Sequence, residues 1–135
     1  MGYGEETTAS TYRTFVATIF PYSGVGHKTI LYFTTRGVRF DACITANFNS
    51  IVLDYVARTK VSYLTLAQFI VKQLPIISPS TYTDSDIEFV VARVLELSYT
   101  SWSLRPFAVD LGYDGPPFSW DEDRRALLGA ELDAW

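Results

Sequence analysis

Residues 48–75 read FNSIVLDYVARTKVSYLTLAQFIVKQLP. Ile44, Phe48, Ile51, Val52, Tyr55 and Val56 recur at helical spacing, and Asp41 stands where an N-cap belongs. The spacing predicts a helix over 42–57 with that face buried. A polar loop over 58–63 follows, carrying Arg58, Thr59, Lys60, Ser62 and Tyr63. Thr65 is placed to cap a second helix over 66–74, with Phe69, Ile70 and Leu74 inward, and Pro75 stops it. Two amphipathic helices around a short basic loop form the unit on which the rest of the chain is arranged.

Upstream, residues 1–10 are Gly-rich and acidic, then Thr and Ser, and are expected to fray. RTFVATIF (13–20) and ILYFTT (30–35) are rich in β-branched and aromatic residues and read as strands. PYSGVGHKT (21–29) between them is a turn or loop, and RGVRFD (36–41) is a short connection with room for a brief strand at Val38 to Phe40. Downstream, ISPSTYT (77–83) is a linker by composition. Thr83 or Asp84 opens a third helix to about Tyr99, with Ile87, Val90, Val91, Val94 and Leu95 on one face. Ser103 is placed to cap a short helix ending at Gly112, a left-handed stop. Asp121 starts a last helix with acids in its first turn, as the helix dipole favours. That helix reaches Trp135 without a stop signal, which reads as a trimmed end or a fragment of a larger chain. The expected fold class is α+β: a small N-terminal β element packed on two amphipathic helices, then a helical tail.

With 135 residues, 48% apolar and 16% aromatic, the chain can bury a real core and is not disordered. No apolar run reaches the roughly 18 residues of a membrane span, so no membrane partner is expected. A single cysteine, Cys43, cannot form an internal disulfide and fits a reducing cytoplasm. One His and one Cys are too few for a Cys/His zinc site. The net charge of −4 hides an asymmetry: residues 1–83 carry +3 and residues 84–135 carry −7. A basic front and an acidic back suit a protein that presents one face to phosphates; uneven scatter of charge is the plainer reading.

SGVGHKT (23–29) departs from the phosphate-binding loop, because one residue separates Gly24 from Gly26 and His27 precedes Lys28. His27 has no acid at suggestive spacing, and Ser23 lies in no nucleophile elbow. Glu88, Glu96, Asp110 and Asp114 read as solvated helix-face carboxylates, and Trp102 and Trp120 as core. The 58–63 loop is the strongest candidate site. Arg and Lys neutralise phosphates, Arg can also grip guanine, and Thr and Ser hydroxyls reach phosphate or base edges. A solvated turn between helices is the alternative. Lys28, Arg36 and Arg39 extend the same basic front.

The text of the chain resembles the target-recognition region of DNA adenine methyltransferases, of the kind fused into single-chain restriction-modification enzymes. RTFVATIFPYSGVGHKTILYF (13–33) is similar to the segment that opens the region, and FNSIVLDYVARTKVSYLTLAQFIVKQLPII (48–77) to the helix-loop-helix that follows. Ser62 and Tyr63 stand where the family often has Gly-Gly or Gly-Thr. Residues 91–135 resemble the C-terminal tail of the same enzymes, LGYDGPPFSWDEDRR (111–125) being the most specific run. The resemblance divides the chain into a recognition-like segment over 1–83 and an acidic helical tail over 84–135. It implies double-stranded DNA as partner, met by Arg58, Thr59, Lys60, Ser62, Tyr63, Lys28, Arg36 and Arg39. It implies an upstream domain of the parent chain that transfers a methyl from S-adenosylmethionine. The Asn-Pro-Pro-Tyr type motif, the Gly-rich cofactor loop and an Asp…Glu-x-Lys nuclease cluster are absent from these 135 residues, so this segment carries no cofactor site or catalytic motif of its own. A different expectation is a protein-interaction module whose acidic tail docks on the methylase or nuclease domain.

Overall fold

A computed structural model describes residues 1–61 and 64–135 of the chain. The fold is α+β, as the sequence predicts. A small sheet has the order β2-β1-β3, with β1 at Gly2–Gly4, β2 at Ala17–Thr18 and β3 at Thr29–Leu31. The helices are α1 (Val38–Phe48), α2 (Ile51–Lys60), α3 (Gln68–Val71), α4 (Asp84–Ser98), α5 (Arg105–Asp110) and α6 (Glu122–Ala134), with a 3₁₀ turn at Trp102–Leu104.

The residues expected to fray supply the central strand. Both outer strands run antiparallel to β1, Gly2 facing Thr18 on one side and Leu31 on the other. The strand holds because Tyr3 brings a large side chain to the core: it is 1% exposed and its ring meets Phe15 at 5.1 Å and Tyr32 at 5.7 Å. Phe15 in turn meets Phe48 at 4.9 Å, so β1, the segment before β2 and the end of α1 share one aromatic cluster. Burial of such rings stabilises by about 1.5–3 kcal/mol each.

The helix predicted over 42–57 is two helices. Asn49 closes α1, and Ser50 starts α2 by accepting the Leu53 amide on its hydroxyl at 3.2 Å. The restart shifts the helical phase. Leu53, Asp54 and Ala57 face inward, whereas Ile51, Val52 and Tyr55, expected in the core, are exposed. Period counting runs straight across such a break, because it reads apolar spacing and not the cap chemistry of an Asn-Ser pair. The α3 helix is also shorter than predicted: Ala67 precedes it without a side-chain cap, and Phe69 points outward while Ile70 and Leu74 are buried.

The tail follows most of its signals, but Ser101 and not Ser103 does the capping there, at the 3₁₀ turn, and α5 starts after Leu104 without a side-chain cap. Thr83 forms a reciprocal capping box with Asp86, and Val90, Val91, Val94 and Leu95 of α4 are buried. Asp121 caps α6 through the Arg124 amide at 2.9 Å, and Gly112 takes a φ of +89° after α5. Trp102 and Trp120 were expected in the core, yet both are exposed; Trp120 lies flat under the Arg125 guanidinium at 3.8 Å.

Two buried clusters result. One gathers Tyr3, Phe15, Phe48, Leu53, Leu66 and Val71; the other gathers Ile19, Cys43, Val90, Val94, Tyr99 and Phe107. The α1 helix joins them, giving Phe48 to the first and Ala42, Cys43 and Ala46 to the second. The tail also closes on the helical unit: Asp133 accepts the Ile51 amide at 2.8 Å, and the Trp135 ring stacks on Tyr82 at 5.4 Å. No helix among the described residues is long and apolar enough to cross a membrane.

Candidate DNA-facing surface

Arg58, Thr59 and Lys60 lie in the last turn of α2 and not in a loop. Ser62 and Tyr63 lie outside the described residues. Beyond them the chain runs antiparallel beside the continuation of β1: the Thr7 amide donates to Leu64 O at 3.0 Å, and the Leu66 amide to Glu5 O at 2.8 Å. Leu64–Leu66, which lead into α3, are therefore fastened to Glu5–Thr7.

Arg58 is spent on the fold. It donates to Ala9 O at 2.9 Å, Tyr12 O at 3.1 Å and Asp54 at 3.0 Å. Asp54 is buried and accepts the amides of Thr14 at 2.7 Å and Phe15 at 2.8 Å. Burial alone would raise the Asp54 carboxyl, but the Phe15 amide, the Arg58 guanidinium, the Thr14 amide and the Arg13 charge outweigh it. They hold the group below the usual carboxylate range. Asp54 and Arg58 thus form a clasp over residues 9–15. A guanidinium with three acceptors inside the protein has little left for a phosphate.

The other candidates separate. The Thr59 hydroxyl donates to Val56 O at 2.8 Å, while Lys60 is exposed and has no ion-pair partner among the described residues. Lys28 lies 3.7 Å from Glu5 and 3.8 Å from Glu6, which lowers the positive potential beside the α2–α3 connection. Arg39 pairs with Glu88 of α4 at 2.5 Å. Arg36 is exposed, in the connection from β3 to α1. Among the described candidates, Lys28 lies near the Gly4 and Glu5 end of the sheet, while Arg36 and Arg39 follow β3 beyond the end marked by Gly2 and Leu31.

A cleft of about 500 Å³ opens between β2, the α1–α2 junction, α4 and α6, lined by Val16, Asn49, Leu97, Trp120, Arg125 and Leu132. Its polar groups serve the protein itself: Arg125 donates to Leu97 O at 2.9 Å, and Asn49 bonds both backbone groups of Ala17. His27, the only histidine, is exposed, and no hydrogen bond joins it to a hydroxyl or to Cys43 among the described residues. No group of three or more His, Cys, Asp or Glu side chains there is placed to hold a metal ion.

Sequence reasoning missed the exposure of Tyr12, Tyr22 and Phe33. Tyr22 was signalled by its place in the Pro- and Gly-containing connection over 21–29, whereas Phe33 falls in the strand expected over 30–35, which ends at Leu31.

Comparison with known proteins finds no protein-family model that matches the chain, no similar curated protein and no similar solved structure.

Proposed function

We propose that the chain is the DNA-specificity region and tail of a DNA adenine methyltransferase. In this reading it holds double-stranded DNA while a separate catalytic domain flips the adenine from the stack and methylates its exocyclic amine from S-adenosylmethionine. The observation that carries it is the helix–connection–helix unit over 51–71, in the stretch whose text resembles the family's recognition region. Leu64–Leu66, just before α3, pair with Glu5–Thr7, and Lys60 is exposed at the end of α2. Backbone pairing of this kind suits base readout, which needs side chains in fixed register. The proposed compartment is the cytoplasm, with the DNA and the cofactor.

The test is to express the gene together with the methyltransferase catalytic part in a methylation-free host and map methyladenine across the genome. A single methylated motif, lost or changed by Lys60→Glu, is the expected result. Arg58→Ala is a poor probe, because it breaks the clasp on Asp54. Absence of methyladenine with both parts folded and cofactor bound would sink the reading.

One observation favours the docking-module reading for part of the surface. Ile51, Val52 and Tyr55 form an exposed apolar stripe on α2, close to the groove that holds Ile77 and Trp135. Salt separates the readings: phosphate contact weakens steeply as salt rises, and apolar docking does not.

A further inference from the structure

We propose that the chain touches DNA through the two loops that leave the sheet beside Gly2, with Tyr22 and Phe33 stacking on unpaired bases and Arg36 on phosphate. This rests on the DNA-binding reading above and adds a contact distinct from Lys60 of α2.

The sheet register brings the loops together. Thr18 of β2 and Leu31 of β3 both face Gly2, so the chain after each emerges at the same end of the sheet. Both exits are anchored there. The Phe20 ring lies 3.1 Å from where a Cβ on Gly2 would stand, and the Tyr32 amide donates to Met1 O at 2.8 Å. Just past the anchors Tyr22 is 110% exposed and Phe33 87%, the first as open as in an extended chain.

The setting favours nucleic acid over protein. The two rings are set among Ser23, Gly24, Thr35 and Arg36, and not in a continuous apolar patch such as the α2 stripe. A protein interface core needs contiguous burial, whereas a base offers a π-face to a single ring whatever its sequence. Arg36 has no ion pair or hydrogen bond among the described residues, while the nearby Arg39 is tied to Glu88 and Asp41 accepts from Thr34. A Cβ at Gly24 or Gly37 would meet no atom within 4 Å, so a nucleic-acid strand can approach both loops closely. Lone aromatics stack only on bases out of the duplex stack, so the loops should prefer DNA that opens easily.

The test is fluorescence anisotropy of the whole chain on two short labelled duplexes, one fully paired and one with a central mismatch, across a salt series. The chain should bind the mismatched duplex more tightly. Tyr22→Ala and Phe33→Ala should each weaken that binding by about tenfold and remove the preference, leaving the salt slope in place. Arg36→Ala should weaken both duplexes alike and lower the slope by about one. All three positions are exposed, and unchanged melting will show that the variants fold. Wild-type binding in all three variants, with loss in Lys60→Glu, would overturn this proposal and leave the DNA reading standing. A folded wild-type chain that binds neither duplex at low salt would overturn both.

Discussion

Asn49 completes the hydrogen bonding of Ala17. Its side-chain amide donates to Ala17 O at 2.8 Å while its side-chain carbonyl accepts the Ala17 amide at 3.0 Å. The pair reproduces what a neighbouring strand would give, at the outer edge of β2. The same residue closes α1, so one side chain ends a helix and seals a sheet. Asn49→Ala should cost about 1–3 kcal/mol in urea unfolding, because two buried-edge backbone groups lose their partners. Asn49→Asp should recover little, since a carboxylate cannot donate to Ala17 O.

The clasp of Asp54 on residues 13–15 should dominate the acid side of the stability curve. The carboxyl is held below its ordinary value in the folded chain and returns to it on unfolding. Its contribution is therefore complete above about pH 5, beyond the unfolded value, and is lost as pH falls through the folded one. Asp54→Asn should lower stability at neutral pH and flatten the acid limb of a pH–melting profile. A limb of unchanged steepness would show that other carboxylates set it.

Arg58→Ala should destabilise by about 1–3 kcal/mol, as loss of charge-assisted bonds to Asp54 and to two carbonyls implies. Lys60→Ala, one helical step from the same turn, should leave stability within about 0.5 kcal/mol. Chemical denaturation of the two variants side by side checks the contrast.

Tyr3 and Tyr32 bury their hydroxyls without a well-formed hydrogen bond among the described residues. Tyr32→Phe should therefore leave stability unchanged or raise it by about 1 kcal/mol, whereas Tyr32→Ala should cost about 3 kcal/mol or more by emptying part of the aromatic cluster. Thermal melts of both decide the point.

Gly37 precedes α1 with a φ of +93° and open space around it. A Cβ there meets no neighbour, so the cost of Gly37→Ala is backbone strain alone, about 1–3 kcal/mol for a positive φ with a ψ of 161°. A larger loss would point to a rearranged start of α1, visible as reduced helicity.

The tail was legible because its signals are local. Thr83, Asp121 and Gly112 each bond within a few residues of themselves, and a sequence window contains both partners. The front was not. Tyr3 packs on Phe15 and Tyr32, which in turn meet Phe48, and Asn49, at the break between α1 and α2, bonds Ala17 far away in sequence. The candidate surface suffered for the same reason. Arg58 reads as a free cation in the text, and its three acceptors sit four to 49 residues away along the chain.

The bond from Asp133 to the Ile51 amide spans 82 residues, well over half of these 135 residues. A polypeptide leaving the ribosome exposes Ile51 long before Asp133 exists. Until then Ser50 alone holds the start of α2, and the exposed Ile51 and Val52 beside it are open to whatever surrounds the nascent chain. The emergence of Asp133, and not the synthesis of α2 itself, is thus the moment at which the first amide of this helix gains its partner.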